Sequence, residues 1–234
     1  MSKVNIIAID GPAASGKSTV GKIIAEWLGF LYFDTGLMYR ALTWAAEQHR
    51  VDFNDGERLA WLASEIQIDI QPPTIQDGRS SDVFVNGQDV TWEIRHPDID
   101  ERVSIVSMHP EVREALGLQQ RRIGLRGRVV MVGRDIGTIV LPEADIKIYL
   151  EASVEERARR RYAELRERGE AVEFEAILES MQNRDTIDSS REVAPLKPAT
   201  DAIVIDTNGM SIDLVFEKIK KIIEQKNHIQ TLRV

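Results

Sequence analysis

The glycine-rich segment at residues 11–18 constrains the fold of this chain more than any other feature. It directly follows an apolar run at residues 4–9, which is typical of a strand buried on both faces of a parallel sheet. Apolar side chains then recur with helical spacing and predict a helix at residues 17–28. The chain therefore starts with a strand, a tight loop and a helix in immediate succession.

The same segment carries a chemical signature, because it matches G-x-x-x-x-G-K-[ST] in the strand–loop–helix setting that this motif requires. Backbone N–H groups of such a loop surround phosphate oxygens, the lysine reaches the β- and γ-phosphates, and the hydroxyl residue ligates Mg²⁺. The sequence thus predicts an ATP site with Lys17 as a catalytic cation and Ser18 as the metal ligand. The predicted nucleotide-binding residues are Gly11, Pro12, Ala13, Ala14, Ser15, Gly16, Lys17, Ser18 and Thr19.

Strands and helices are predicted to alternate along most of the chain. The further predicted strands lie at residues 31–33, 129–132, 146–150 and 202–206. Helices are predicted between them, among others at residues 37–49 and 211–224. This alternation is typical of an α/β fold with a parallel sheet and right-handed crossovers.

Two segments interrupt the alternation. Residues 66–94 contain alternating apolar side chains and an Asn-Gly pair at residues 86–87, which is the strongest short signal of a β-hairpin. We therefore predict a small antiparallel insert there. Residues 155–169 form a second candidate insert, a charged helical excursion between two strands.

Composition argues against several classes of protein. A formal net charge of −8 argues against wholesale binding of nucleic acid. No apolar run is long enough for a membrane span, and we expect no secretory signal. The absence of cysteine excludes disulfides and thiolate metal sites and fits a cytoplasmic protein. Arginines nevertheless cluster at residues 113–134 and 157–168, which indicates either small anionic ligands or solvated helix faces.

Three arginines in the second cluster, Arg157, Arg160 and Arg161, share one face of a predicted helix. Arginine presents a planar, permanently charged fork to phosphate. A kinase that joins two phosphorylated molecules must neutralise both, and a monophosphate acceptor alone carries roughly −2. The alternative is an ordinary amphipathic helix with pairs such as Glu156 and Arg160.

Arg184, Asp188 and Arg191 have similar spacing and would share a face if that stretch were helical. The alternative is a salt bridge within the helix between Asp188 and either arginine. Such a bridge is compatible with function, because Asp188 could also orient the guanidinium. The chain has no guanine-reading motif, which disfavours a GTPase.

With these segments the chain resembles the bacterial cytidylate kinase family, from residue 6 to about residue 217. Besides the phosphate loop, the resemblance rests on D-T-G-L-M-Y-R at 34–40, G-R-D-I-G-T at 133–138, E-E-R-A-R-R-R at 155–161, R-D at 184–185 and S-R-E-V-A-P-L at 190–196. These segments occur in the order of that family. One departure is Ala14, where loops of the family commonly carry glycine; at positive φ this alanine would be strained by roughly 1–2 kcal/mol.

The resemblance implies an acceptor site for CMP or dCMP. The residues implied to bind the monophosphate are Thr35, Tyr39, Arg40, Ser104, Arg113, Arg134, Asp135, Arg184 and Asp188. Within this set Ser104 is implied to recognise cytosine, and Arg134 to bind the acceptor phosphate. The residues implied to be catalytic are Lys17, Arg134 and Arg191, together with Arg157 and Arg161 on a mobile lid.

The resemblance also implies a fold and its division into domains. The expected fold is a P-loop three-layer sandwich with a five-stranded parallel sheet, an inserted monophosphate-binding lobe with a small antiparallel sheet, and a short helical lid. The expected ranges are a core at 1–62, 105–153 and 170–234, the lobe at 63–104, and the lid at 154–169.

The resulting hypothesis is a kinase that transfers the γ-phosphoryl group of Mg·ATP to CMP or dCMP. Its expected partners are small molecules, without nucleic acid or membrane, and the family implies a monomer. Two alternatives remain at this point. One is a P-loop small-molecule kinase acting on a hydroxyl, with Asp34 or Asp135 as base. The other is a non-catalytic ATP sensor.

Overall fold

The computed structural model describes residues 4–79, 81–167 and 169–231. Arg168, which the sequence places in the arginine-rich lid, and residues 232–234 of the C-terminal segment lie outside the described residues. Across the described ranges, no helix combines the length and the apolar character that a membrane span requires. The chain divides into two compact units, one of Met1–Phe33 with Ile123–Val234 and one of Asp34–Arg122.

The secondary structure of the described residues follows the predicted alternation. The strands are β1 (Ile6–Asp10), β2 (Leu31–Asp34), β3 (Ile68–Gln71), β4 (Asp82–Val85), β5 (Gln88–Asp89), β6 (Val129–Gly133), β7 (Ile146–Glu151) and β8 (Ile203–Asp206). The helices are α1 (Lys17–Leu28), α2 (Gly36–Gln48), α3 (Gly56–Glu65), α4 (Pro97–Val106), α5 (Pro110–Gly124), α6 (Val154–Glu167), α7 (Phe174–Ser190) and α8 (Ile212–Thr231). A 3₁₀ turn at Glu93–Arg95 and a π-helical turn at Ile136–Val140 complete them.

Within the described residues, five strands form the main sheet in the order β2-β6-β1-β7-β8. Strand β1 pairs in parallel with β6 and β7, and β7 pairs in parallel with β8. This confirms the predicted α/β fold with a five-stranded parallel sheet. The first unit thus places the carboxyl end of β1, where the phosphate loop begins, at the centre of the sheet.

Alternation along the strands decides what each face of this sheet does. Ile7 and Ile9 of β1 face a core built with α1 and α8, to which Ile24 and Ile219 contribute fully buried side chains. Asp10 lies one position further and therefore points to the opposite face, where the π-helical turn packs. One face of the sheet stabilises the unit, and the other presents a carboxylate at the start of the loop.

The second unit contains a three-stranded antiparallel sheet in the order β3-β4-β5 within its described residues. Asn86 and Gly87 both have positive φ, at 50° and 81°, which is the geometry of the predicted hairpin turn. The predicted antiparallel insert is therefore confirmed.

A buried arginine holds the long connection between β3 and β4 in this unit. The guanidinium of Arg79 donates to the carboxylates of Asp77, Asp82 and Asp89 at 2.8–3.0 Å. Trp92 donates from its indole nitrogen to the same Asp77 carboxylate at 2.9 Å. Hydrogen bonds from Arg79 and then Trp92 hold the pKa of Asp77 well below its usual range.

Candidate active site

The phosphate loop lies where the sequence predicts it, between the end of β1 and the start of α1. A side chain at Gly11 would place its Cβ 2.2 Å from the backbone oxygen of Leu150, so the loop can leave the sheet here only as glycine. Gly16 has a φ of 90° and precedes the first residue of α1, whose N-terminal N–H groups face the loop. A helix N-terminus with these properties favours anions.

Two polar groups inside the loop indicate an anionic ligand. Lys17 is only 6% exposed, and its ammonium donates to the backbone oxygen of Pro12 at 2.7 Å. The hydroxyl oxygen of Ser15 is buried and has no hydrogen-bond partner in the described part of the chain. Buried polar atoms in native proteins are normally satisfied, so a phosphate in the loop would supply the missing partner.

Ala14 adopts a left-handed conformation with φ of 55°. Alanine is strained in this region by roughly 1–2 kcal/mol, because its Cβ crowds the following carbonyl. Ala14 therefore has the positive φ at which an alanine in place of the family's glycine is strained.

Asp10, the last residue of β1, binds the segment that follows β6 and so holds that segment beside the phosphate loop. Asp10 is 4% exposed, and its carboxylate accepts from the backbone N–H groups of Ile136 at 2.8 Å and Gly137 at 2.7 Å. Burial raises its pKa to about 6, although the two amides and Lys17 oppose the rise. Sequence reasoning did not single out Asp10; the signal was a carboxylate at the end of a strand predicted to be buried, which must find partners.

A second cluster in this unit joins the segment after β6 to α7. The Asp188 carboxylate accepts from Nε of Arg134 at 3.0 Å and pairs with Arg191 through its other oxygen. Burial alone would raise the pKa of Asp188, but the guanidinium groups of Arg134, Arg191 and Arg184 outweigh it and lower that pKa. The salt bridge that the alternative interpretation named exists between Asp188 and Arg191, although α7 ends at Ser190 and Arg191 lies just beyond the helix. Three arginines thus lie around one carboxylate, and arginine is well suited to bind phosphate.

The predicted helix-face arginines of α6 take different directions. Arg157 is 3% exposed, pairs with Asp185 of α7, and donates to the backbone oxygen of Ala13 in the phosphate loop at 3.2 Å. Arg160 bonds Glu156 at 3.1 Å, the pair that the alternative interpretation named, and also reaches Thr207. Arg161 pairs with Glu164 at 2.9 Å, with one third of its side chain exposed. Of the three, Arg157 contacts the loop directly.

The remaining predicted acceptor residues of the first unit are Asp135 and Arg184. Asp135 is buried and precedes the π-helical turn, but its side chain does not cap that turn. Arg184 lies on α7 one helical turn before Asp188, whose pKa its charge helps to lower. Asp135 is thus the direct neighbour of Arg134 in the chain, and Arg184 lies beside the carboxylate that Arg134 binds.

The second unit carries the other predicted acceptor residues on α2, α4 and α5. The guanidinium of Arg113 lies over the Tyr39 ring, 5.4 Å from its centroid, and donates to the backbone oxygen of Ser107. Arg40 pairs with Asp100 and donates to the backbone oxygen of Ile94 at 3.3 Å. Two further predicted residues are a buried threonine at the start of α2 and a half-buried serine on α4, Thr35 and Ser104. This unit thus presents two oriented arginines of its own.

A divalent cation at the loop would share its ligands with a nucleotide. Over residues 4–79, 81–167 and 169–231, no group of three or more His, Cys, Asp or Glu side chains could hold a metal ion. Mg²⁺ at nucleotide sites commonly combines one or two protein oxygens with phosphate oxygens and water. The exposed Ser18, second residue of α1, can supply one such oxygen.

Comparisons with known proteins identify the family of this chain. The family model described as "Cytidylate kinase" matches residues 7–225. A cytidylate kinase of Bacillus subtilis (strain 168) is 52% identical over 227 residues, which cover 97% of this chain and 100% of the relative. Those of Roseiflexus castenholzii (51% over 216 residues, 92% of this chain and 91% of the relative) and Herpetosiphon aurantiacus (48% over 219 residues, 94% of each) are similar. A chain matched over nearly its whole length in this way belongs to the cytidylate kinase family.

Proposed function

We propose that this protein is a phosphotransferase that passes the γ-phosphoryl group of Mg·ATP to CMP or dCMP, giving ADP and CDP or dCDP. The observation that carries the proposal is the position of Arg157, which contacts the phosphate loop at Ala13 and α7 at Asp185. Asp185 lies one helical turn from Asp188, so the loop and the arginine–aspartate cluster are physically joined. The names of the relatives, which are cytidylate kinases, support CMP as the acceptor.

The donor half of the site is assigned to the phosphate loop. The residues proposed to bind ATP are Gly11, Pro12, Ala13, Ala14, Ser15, Gly16, Lys17, Ser18 and Thr19. Lys17 would neutralise the β- and γ-phosphates, and the Ser15 hydroxyl would gain the partner that it lacks in the described structure. Ser18 would hold Mg²⁺, which supplies charge neutralisation at the phosphates when bound.

Acceptor-binding residues are assigned in each unit separately. In the first unit these are Arg134, Asp135, Arg184 and Asp188, with Arg191 directed to the transferring group. In the second unit they are Thr35, Tyr39, Arg40, Ser104 and Arg113. Their charge supports the assignment, because a nucleoside monophosphate carries about two negative charges and five of these ten residues are arginines.

The chemistry requires no general base. The acceptor is a phosphate oxygen whose second pKa is about 6, so it is largely ionised at neutral pH. The protein therefore needs to align the two substrates, cancel their repulsion and exclude water as a competing nucleophile. Arg157 and Arg161 on α6, within the proposed lid at residues 154–169, would serve the last task by closing over the phosphates.

Several coarser assignments go with this function. We assign a core to residues 1–62, 105–153 and 170–234 and the monophosphate-binding lobe to residues 63–104, a range inside the second compact unit. We also propose that the protein acts as a monomer in the cytoplasm on small molecules alone.

A panel assay tests the function. The purified protein is incubated with Mg·ATP and, separately, CMP, dCMP, UMP, AMP and shikimate, and ADP release is followed with and without acceptor. We expect turnover with CMP and dCMP. Turnover confined to a hydroxyl acceptor would show a small-molecule kinase instead, and tight ATP binding without acceptor-dependent ADP release would show a sensor.

A further inference from the structure

The carboxylate of Asp10 connects two segments that are far apart in the chain. It stands at the end of β1, one residue before the phosphate loop. Both of its oxygens accept from backbone amides 126 and 127 residues away, at Ile136 and Gly137. A Cβ added at Gly137 would lie 3.3 Å from Oδ2 of Asp10, so the approach is close enough to favour glycine there. The carboxylate thus holds the segment that immediately follows Arg134 and Asp135.

The two amides that Asp10 binds are the first N–H groups of the π-helical turn Ile136–Val140. Such N–H groups have no partner inside the helix and are ordinarily satisfied by the side chain of the preceding residue. That residue is Asp135, and its side chain makes no capping hydrogen bond. Asp10 caps the turn in place of Asp135, whose carboxylate makes no capping hydrogen bond there.

We propose that Asp10 is a positioning residue of the acceptor site, whose carboxylate fixes the backbone at Ile136 and Gly137 and thereby sets the directions of Arg134 and Asp135. The proposal rests on the proposed function, since it concerns how the CMP-binding residues of the first unit are held. Asp10 touches neither substrate in this scheme. It acts through two peptides.

The hydrogen bonds from Ile136 and Gly137 to Asp10 depend on whether the Asp10 carboxyl group is protonated. The charged or titratable groups that face it are Lys17 of α1, Asp135 after β6, and Lys147 and Tyr149 of β7. Burial, opposed by the two amides, brings the pKa of the carboxyl to about 6. The ionised form accepts from both amides, whereas protonation turns one oxygen into a donor and removes one of these bonds. Acid should therefore loosen the segment.

Steady-state kinetics of Asp10→Asn test the assignment, with Asp145→Asn as the matched control. Asp145 also binds two backbone amides with its carboxylate, those of Asn5 and Ile6, but at the opposite end of β1. We expect Asp10→Asn to raise the KM for CMP by about tenfold or more while the KM for ATP changes by less than about twofold. Asp145→Asn should leave both values unchanged.

An equal rise in both KM values, or the same rise in the control, would overturn the proposal, because Asp10 would then act on the donor loop or on general stability. Resonances of the backbone amides provide a second measurement that needs neither substrates nor a variant. In the wild-type protein the N–H signals of Ile136 and Gly137 should shift together with a midpoint at about pH 6.

Signals that stay fixed between about pH 5 and about pH 7 would contradict the raised pKa alone. If the Ile136 and Gly137 amides exchanged with solvent as fast as exposed amides do, the proposal would be overturned even if Asp10→Asn failed to fold, because the carboxylate would then not hold them. These measurements on the amides also separate the hypothesis of function from that of position. A protein without CMP kinase activity would refute the proposed function, yet its amides would still report whether Asp10 holds the segment.

Discussion

Arg157 donates from Nη1 to the backbone oxygen of Ala13 at 3.2 Å, so an arginine of α6 holds a peptide of the phosphate loop. The same guanidinium pairs with Asp185 and also donates from Nε to the backbone oxygen of Ala152 at 3.0 Å. One buried cation therefore ties together the loop, the end of β7 and α7. Its helical neighbour Arg160 instead bonds Glu156 and Thr207, and Arg161 pairs with Glu164.

Replacement of this arginine should cost stability. We expect Arg157→Ala to lower the free energy of unfolding by about 2–4 kcal/mol, because it removes one partner of a largely buried ion pair and takes a donor from two backbone carbonyls. Urea unfolding measures the change. Arg161→Ala is the control, since its pair with Glu164 is partly exposed and should change stability by less than about 0.5 kcal/mol. Equal effects of both variants would contradict the structural role of Arg157.

Removal of the loop lysine should stop transfer without unfolding the protein. Lys17→Ala is expected to lower kcat by about 10³-fold or more, since the ammonium neutralises charge that develops on the transferring group. Circular dichroism and thermal melting check that the fold is intact. Lys22→Ala, an exposed position on the same helix, serves as the control and should keep full activity. Unchanged turnover of Lys17→Ala would refute its role.

Arg191 is expected to act mainly in the transition state. We predict that Arg191→Ala lowers kcat by about 10³-fold and raises the KM for CMP much less, as for other arginines directed at a transferring phosphoryl group. Asp188 retains its bond to Arg134 in this variant, so the cluster is not emptied. Arg160→Ala, which removes contacts with Glu156 and Thr207, should leave kcat unchanged. A loss confined to KM would place Arg191 in ground-state binding.

Relief of strain in the loop should stabilise the protein. Ala14→Gly removes the roughly 1–2 kcal/mol that alanine costs at φ of 55°, and loses part of it to the greater freedom of glycine in the unfolded chain. We expect the free energy of unfolding to rise by up to about 1 kcal/mol. Ala13→Gly, at a position without positive φ, should instead lower it by about 0.5–1 kcal/mol. The same sign for both variants would show that the conformation of Ala14 is not strained.

The dependence of stability on pH should reveal the ionisation of Asp10. Its pKa is raised from 3.8 to about 6, so the native state binds this proton more tightly than the unfolded chain does. The stabilising contribution is thus complete below about pH 4 and is lost as the pH rises through about 6. Relative to Asp10→Asn, the wild-type free energy of unfolding should fall by about 3 kcal/mol over this interval. A difference independent of pH would contradict the shifted pKa.

Those parts of the fold that local signals determine could be predicted from the sequence. The helix at Lys17–Leu28 begins and ends where its apolar spacing and the following Gly29 indicate. The Asn86-Gly87 turn was predictable because few residues tolerate two successive positive φ values. Strand ends were less certain, since β1 extends through Asp10, whose carboxylate breaks the apolar pattern.

The contacts of the site depend on partners distant in the chain, and spacing does not specify them. Helical periodicity places Arg157 and Arg161 on one face, but it cannot say that the first turns inward to Ala13 while the second pairs with Glu164. The amides that Asp10 binds are likewise more than a hundred residues away and carry no side-chain signal. A backbone N–H group is the same in every residue except proline, so the sequence cannot mark it as a partner.

The central position of β1 has a consequence for how the chain folds. Both of its neighbours, β6 and β7, follow the whole of residues 34–122 in the order of synthesis. Lengthening such a loop adds little free energy, because the entropic cost grows by only about 0.6 kcal/mol per doubling of length, but non-local pairing of this kind slows folding. The phosphate loop is thus synthesised well before the two strands that flank β1, and until they pair with it the apolar strand is a hazard for aggregation.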